Sequence, residues 1–179
     1  MTRIVARIPS LQQHIETLSS TPEIYRLHAC PNCGVNRLWR HGCYFRKADL
    51  NPPTCGELNP VPIARFYCGE CHRTCSRLPS CIAPRRWYGW AVQQAVLLKL
   101  LAGCSLNAVS LASQPCRHTV RRWWRWLSER NENFGFHLRS RFPELGRAPD
   151  WKAFWKDCLD RMPLSEAMAW LDRDGVLVP

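Results

Sequence analysis

The chain has 179 residues, a net charge of +11 and a pI of about 9.5, and 46% of its residues are hydrophobic. The hydrophobic content excludes a wholly disordered chain, and the charge favours a polyanionic partner, either nucleic acid or an acidic membrane face. No apolar run reaches the ~18 residues of a membrane span, and the N-terminus lacks the pattern of a secretory signal, so we expect a cytoplasmic protein without a membrane partner.

The positive charge is concentrated in the middle of the chain. Residues 30–90 and residues 91–141 each carry a net charge of +6, whereas residues 142–179 carry −2. A polyanion such as double-stranded DNA is therefore expected to bind the middle segments, which would place the protein at the nucleoid.

The first third of the chain predicts one helix followed by two strands. Ser10 is a good cap for a helix that breaks at Pro22, and residues 1–27 are interpreted as an arm around this helix. Aromatic and β-branched residues in RLWRHGCYFR and VPIARFYC predict two strands, and the loop between them is rich in proline. We expect a β-hairpin within residues 28–84.

Eleven cysteines are an unusual number, and four of them form two CxxC pairs, CPNC at 30–33 and CGEC at 68–71. In a reducing compartment such pairs indicate metal binding or redox chemistry rather than a disulfide framework. Zn²⁺ prefers four soft ligands in a tetrahedron, and one CxxC turn supplies two thiolates. We predict a zinc ribbon with one structural Zn²⁺, whose ligands are Cys30, Cys33, Cys68 and Cys71.

Other interpretations of these cysteines are weaker. A thioredoxin-like redox pair needs a βαβ unit beside one CxxC, and the pattern predicts none. Four thiolates leave no coordination position for an activated water, which argues against a catalytic zinc. Competing ligands are Cys55, Cys75 and the nearby histidines; Cys75 is interpreted as a packing residue and His72 as a surface residue.

From residue 85 onward the hydrophobic pattern has a helical period. It predicts a helix that stops at Gly103 and a short helix capped by Ser105. A third, basic helix is expected over 116–130, with Cys116 in the cap position. This order is typical of a helix-turn-helix, in which the start of the second helix of the pair enters the major groove. We expect this motif within residues 85–130.

The basic helix is the predicted DNA-binding element. Its apolar stripe is expected to contain Val120, Trp124 and Leu127, with Trp123 and Trp126 also interpreted as core. The predicted base contacts are Arg117, His118, Thr119 and Arg121, and the predicted phosphate contacts are Arg122 and Arg125. Arg85 and Arg86 either contact phosphate or form a solvated hinge. The alternative is that the arginines form an ordinary solvated helix face.

The last segment, residues 131–179, predicts two further helices. Asp150 is expected to cap the first and Ser165 the second, with Gly175 as the final stop. Large apolar side chains are frequent here. We expect them to pack on the DNA-binding core, with docking of a partner protein or of a second copy as the alternative. The predicted fold is thus α+β and mostly α: an arm, a zinc ribbon, a helix-turn-helix and C-terminal helices.

Four segments of the chain resemble, in their order, the zinc ribbon and helix-turn-helix of bacterial insertion-sequence transposases. They are CPNCG, RLWRHGCYFRKAD, NPVPIARFYCGECHRTCSRLPSCIAPRRWY and VSLASQPCRHTVRRWWRWL. The resemblance covers residues 28 to about 130. It implies zinc at the four CxxC cysteines and binding of transposon-end DNA through the helix that starts at Arg117. A transposase also needs a catalytic domain with three carboxylates that bind two Mg²⁺ ions. The residues after 130 are too few for that domain, so we expect no enzymatic activity.

Three functions follow from these patterns. The first is a sequence-specific DNA-binding accessory protein of a mobile element, which recognises element ends or recruits a recombinase through its C-terminal helices. The second is a transcriptional regulator that binds the promoter of its own operon. The third is a zinc ribbon that docks another protein, with no role for DNA.

Overall fold

The computed structural model describes residues 3–48, 58–84 and 88–178. Within these ranges the fold is α+β, and about half of the residues are helical. The chain divides into two compact units, one formed by residues 1–89 and 175–179 and the other by residues 90–174. None of the described helices combines the length and the apolar character that a membrane crossing requires.

The described residues of the first unit form one α-helix, a short 3-10 helix and two small sheets. Its elements are β1 (Ile4–Val5), α1 (Leu11–Ser20), the 3-10 helix (Pro22–Tyr25), β2 (Leu38–Arg46), β3 (Val61–Cys68), β4 (Thr74–Cys75) and β5 (Leu78–Pro79). Strands β2, β3 and β4 form an antiparallel sheet in that order, and β1 pairs with β5 in parallel. The two predicted strands are therefore present as β2 and β3.

The hairpin of β2 and β3 packs one side on the core of this unit. Leu38 pairs with Cys68 and both are buried, whereas the next pair, Trp39 and Tyr67, is more exposed. The register shifts between Arg40 and Cys43, because Gly42 adopts a positive φ of 68° in a β-bulge. Trp39 and Tyr67 therefore lie on the outer side of the sheet.

The start of α1 is set by its cap. The Ser10 hydroxyl accepts a hydrogen bond from the backbone N–H of Gln13, as predicted. Leu18 and His14 are both buried.

The second unit consists of helices. They are α2 (Trp90–Leu101), α3 (Leu106–Leu111), α4 (Arg117–Arg141), a 3-10 helix (Pro143–Arg147), α5 (Trp151–Arg161) and α6 (Leu164–Arg173). The predicted caps Ser105 and Asp150 are confirmed, since each accepts hydrogen bonds from the first turn of its helix. Gly103 has a φ of +91° and follows the end of α2, as expected of a helix stop.

Helix α4 is longer than predicted. The helical pattern predicted an end at residue 130, but the helix continues to Arg141. The extension buries Phe134 and Leu138, and the ring of Phe134 lies 6.1 Å from that of Trp155 in an edge-to-face arrangement. Burial of these side chains stabilises the additional turns, although the segment contains Gly135 and several polar residues with low helix propensity.

The buried face of α4 also differs from the prediction. Trp123 is fully buried with Val120 and Leu127, whereas Trp124 is only half-buried and lies against Trp151, with ring centroids 5.2 Å apart. Positions 120, 123 and 127 lie on one side of a helix, and so do positions 120, 124 and 127. The sequence pattern therefore did not distinguish between the two sets. The interpretation of Trp123 as a core residue is confirmed.

The predicted cap of α6 is wrong. Ser165 lies inside the helix, and Pro163 occupies the cap position without a side-chain hydrogen bond. The backbone N–H of Leu164 instead donates to Oε1 of Gln94 in α2 at 2.8 Å, while Nε2 of Gln94 donates to the carbonyl of Leu159 in α5 at 3.4 Å. A side chain distant in sequence therefore connects the ends of both C-terminal helices, which pack on α2 and α4.

Candidate functional site

The two CxxC turns have the same backbone conformation. In the first turn, the N–H of Cys30 donates to the carbonyl of Val35, and the N–H of Gly34 donates to the carbonyl of Cys30. In the second turn, Cys68 bonds to Arg73 and His72 bonds to Cys68 in the same way. The turns are held together by Gly69, whose N–H donates to the carbonyl of Arg37 just before β2. The hairpin therefore brings two matching cysteine turns to one end of the sheet.

The four sulphur atoms form one cluster. All four lie within 4.8 Å of one another, with Sγ of Cys30 3.5 Å from Sγ of Cys71 and Sγ of Cys33 3.6 Å from Sγ of Cys68. Four sulphurs placed ~2.3 Å from one tetrahedral centre are ~3.8 Å apart. The observed separations match this spacing and exceed the ~2.0 Å of a disulfide. The residues present therefore fit a metal ion such as Zn²⁺.

Backbone N–H groups point at every sulphur of the cluster. Each sulphur has a donor two positions further along the chain: Asn32 for Cys30, Val35 for Cys33, Glu70 for Cys68 and Arg73 for Cys71; Cys68 also accepts from the N–H of Cys71. Such donors stabilise thiolates, the form in which cysteine binds a metal. The donor set thus fits the chemistry of a tetrathiolate site.

The pKa shifts differ in direction between cysteines of the cluster. The N–H of Arg73 lowers the pKa of Cys71 to about 6, and the N–H groups of Cys71 and Glu70 lower the pKa of Cys68 despite its desolvation. The N–H of Val35 also favours the thiolate of Cys33, but desolvation and the three neighbouring thiols together raise its pKa to about 12. Without a cation, the thiolate form is therefore favoured more at Cys68 and Cys71 than at Cys33. A bound divalent cation removes this difference, because it requires all four thiolates.

Among the described residues, the competing ligands lie outside the cluster. Cys75 packs against the buried core of the first unit, and desolvation, followed by nearby thiolates, raises its pKa to about 11. His72 is exposed, and its Nδ1 bonds to the Tyr67 hydroxyl. Cys55 lies outside the described residues.

The predicted DNA contacts are placed on the exposed side of α4. Arg117, His118, Arg121, Arg122 and Arg125 are all exposed at its beginning. Thr119 is half-buried and its hydroxyl lies 3.5 Å from Sγ of Cys116, the residue at the helix cap, where that contact and nearby N–H groups lower the thiol pKa. Arg85 and Arg86 lie outside the described residues.

The basic side chains of α4 form a continuous surface, which we call the arginine face. It is a shallow concavity lined by His118, Arg121, Arg122, Arg125, Trp126, Glu129 and Arg130. Glu129 is the acidic member, and its Oε1 lies 3.3 Å from Nη2 of Arg125. Trp126, which was interpreted as core, is half-buried and its ring lies 5.3 Å from that of Phe134.

The three helices α2, α3 and α4 contact one another pairwise. Residues 112–116 connect α3 to α4, and the side chains that fill the contact are apolar: Val109, Val120 and Trp123 are each at most 1% exposed. The first turns of α4 are therefore held by its buried side, whereas Arg121, Arg122 and Arg125 on the arginine face are exposed.

The fold and the cysteine cluster define an α+β protein with a potential metal site in one unit and a basic helical surface in the other. Residues 30–123 match the family described as a domain of unknown function (DUF6431), and since the match covers more than half of the chain, the protein belongs to this family. The matched segment starts at the first cysteine of the cluster and ends within α4. No curated protein and no solved structure matches the chain.

Proposed function

We propose that the protein is a zinc-stabilised, sequence-specific DNA-binding protein that serves a mobile genetic element, either by recognising element ends or by recruiting a recombinase. In this proposal the first unit is a zinc ribbon, and α3 and α4 form a helix-turn-helix. The protein has no catalytic role of its own, and the nucleoid is its place of action.

One observation carries the proposal: exposed basic side chains occupy the first two turns of a helix whose opposite side is buried. Arg117, Arg121 and Arg122 project from the part of α4 that enters the major groove in helix-turn-helix proteins. Arginine binds guanine through O6 and N7, and phosphate through the same planar group. A solvated helix face without a polyanionic partner would ordinarily carry more acidic residues to balance this charge.

The role of zinc in this proposal is structural. The sheet of the first unit has a small core, and small modules of this kind need a metal or disulfides to fold. Four thiolates fill the coordination shell, so the ion would have no position for substrate. Zinc would stabilise the unit that accompanies the DNA-binding helices.

The proposal is tested by selecting DNA from a random duplex pool with the zinc-loaded chain. We expect a consensus sequence, and we expect Arg121→Ala to weaken binding of the consensus duplex by about 5- to 150-fold, the range for loss of one bidentate base contact. Lys156→Ala is the matched control, because Lys156 is an exposed basic residue on α5 and is not part of the arginine face, whose residues all belong to α4.

Two outcomes would contradict the proposal. A pool without any enriched sequence would exclude sequence-specific recognition. Equal losses of affinity for the consensus duplex in Arg121→Ala and Lys156→Ala would exclude the arginine face as the surface that recognises the sequence. Footprinting then separates the roles of a DNA-binding protein: protection of element ends supports the accessory role, whereas protection confined to the promoter supports a transcriptional regulator.

A further inference from the structure

A second surface of the protein, distant in sequence from α4, combines exposed aromatic rings with basic side chains. It lies on the sheet of the first unit beside the second CxxC turn and comprises Trp39, His41, Tyr67 and His72; we call it the ring platform. Trp39 is 59% exposed, and both histidines are exposed. Large exposed aromatic groups are unusual on a protein surface and indicate a binding site when they cluster.

The rings of the platform are held next to one another. The ring of Tyr67 lies 5.6 Å from that of His41 and 5.9 Å from that of His72, and its hydroxyl bonds to Nδ1 of His72. Trp39 is the cross-strand partner of Tyr67, so both side chains lie on the same side of the sheet. The indole also lies over Gly69, where an added Cβ would be 3.2 Å from its Nε1. The platform is therefore formed before any ligand binds.

The segment that carries the platform is positively charged. Residues 30–90 have a net charge of +6, and Arg37 lies 3.5 Å from Glu70, whose negative charge it offsets. This combination of flat rings and net positive charge complements a chain of bases and phosphates.

The backbone at His72 gives an independent indication. In the two matching cysteine turns, Gly34 and His72 occupy the same position, directly after the second cysteine, and have φ values of +77° and +58°. Glycine adopts this left-handed conformation without cost, whereas histidine does so with strain. The first turn has the residue that the conformation favours. The second has a residue that the conformation disfavours, and its ring forms one edge of the platform.

We propose that the ring platform binds unpaired bases of single-stranded DNA by stacking. The faces of bases in a duplex are covered by their neighbours, so an open row of rings can stack only on bases that are unpaired. This site is separate from the arginine face, and its existence does not depend on duplex recognition by α4.

The experiment measures the affinity of the zinc-loaded full chain for a fluorescent oligo(dT) strand and for an abasic strand with the same number of phosphates. We expect the wild-type protein to bind oligo(dT) at least about fivefold more tightly, and Trp39→Ala to remove most of this preference. Phe136→Ala is the matched control, because Phe136 is a 67% exposed aromatic residue on α4 in the other unit.

His72→Gly separates binding from folding. Glycine relieves the backbone strain, so this variant should retain its zinc and an unchanged or higher melting temperature while losing at least about threefold of its affinity for oligo(dT). Equal wild-type affinity for the two strands would overturn the proposal, as would unchanged oligo(dT) binding in both Trp39→Ala and His72→Gly. Selection of a duplex consensus by the same protein would be unaffected, so the two proposals fail separately.

Discussion

His14 of α1 lies with its Nδ1 2.6 Å from the hydroxyl of Tyr25, and its Nε2 lies 2.8 Å from the carbonyl oxygen of Pro62 in β3. The carbonyl can only accept, so Nε2 carries the proton and Nδ1 accepts from the tyrosine. Both side chains are fully buried. This pair joins the N-terminal helix to the sheet, and burial of the imidazole favours its neutral form by lowering its pKa.

The first prediction concerns the pH dependence of stability. Burial lowers the pKa of His14, partly opposed by the hydrogen bond to Pro62, so the unfolded chain binds a proton more readily than the folded one. Stability is therefore fully present above the unfolded pKa of about 6.5 and falls below it, by at most about 1.4 kcal/mol per pH unit until the folded pKa is reached. Urea unfolding at pH 7.5 and pH 5.5 measures this loss.

His14→Gln is the control for that measurement. An amide can accept from Tyr25 and donate to Pro62 but does not titrate, and both proteins contain the same cysteine cluster. The loss of stability between the two pH values should be smaller in the variant. An identical loss in both proteins would show that His14 does not contribute to the pH dependence.

The second prediction concerns the metal. We expect one Zn²⁺ per chain by elemental analysis, and we expect the first unit to unfold when a strong chelator removes it. The apparent binding free energy of a structural zinc, about 10–16 kcal/mol, is as large as the whole stability of a typical domain, about 5–15 kcal/mol. Cys71→Ser should have the same effect as the chelator. Cys43→Ser, at an exposed cysteine outside the cluster, should retain zinc and fold normally.

The third prediction compares two possible helix caps. Asp150 accepts hydrogen bonds from the N–H groups of Lys152 and Ala153, so Asp150→Ala should destabilise the protein by about 0.5–2 kcal/mol. Ser165 lies within α6 and caps nothing, so Ser165→Ala should change stability by less than about 0.5 kcal/mol. Chemical denaturation of the two variants distinguishes these effects. A loss of stability larger than about 0.5 kcal/mol in Ser165→Ala would mean that Ser165 caps α6, as the sequence predicts.

The fourth prediction concerns Glu129. Its carboxylate pairs with Arg125 on the arginine face, where it reduces the positive charge available to phosphate. Glu129→Gln should strengthen duplex binding several-fold at low salt, whereas Arg122→Ala should weaken it and reduce the slope of log K against log salt by about 1. Fluorescence anisotropy over a salt series tests both. Unchanged slopes in both variants would remove α4 from the DNA interface.

Several features of the fold were predictable from sequence because their causes are local. Ser10, Ser105 and Asp150 cap helices through hydrogen bonds to residues two or three positions away. The start of each of these helices therefore depends on residues within one helical turn. The CxxC turns are equally local. Their spacing therefore predicted the four members of the cluster.

The cap of α6 and the length of α4 were not predictable in this way. Oε1 of Gln94 satisfies the N–H of Leu164 across 70 residues, and Phe134 and Leu138 extend α4 because other helices bury them. A local pattern contains no information on which distant group will be adjacent.

By itself, the sequence determined where most helices begin, which cysteines can bind a metal and where positive charge is concentrated, because each depends on neighbouring residues. Only the tertiary structure decided that Cys30 lies against Cys71 and Cys33 against Cys68, that Trp123 rather than Trp124 is fully buried, and that Tyr67 and His72 share a surface. Each of these depends on the register of β2 with β3 or on helix packing. Those arrangements are selected by burial of apolar surface over the whole unit.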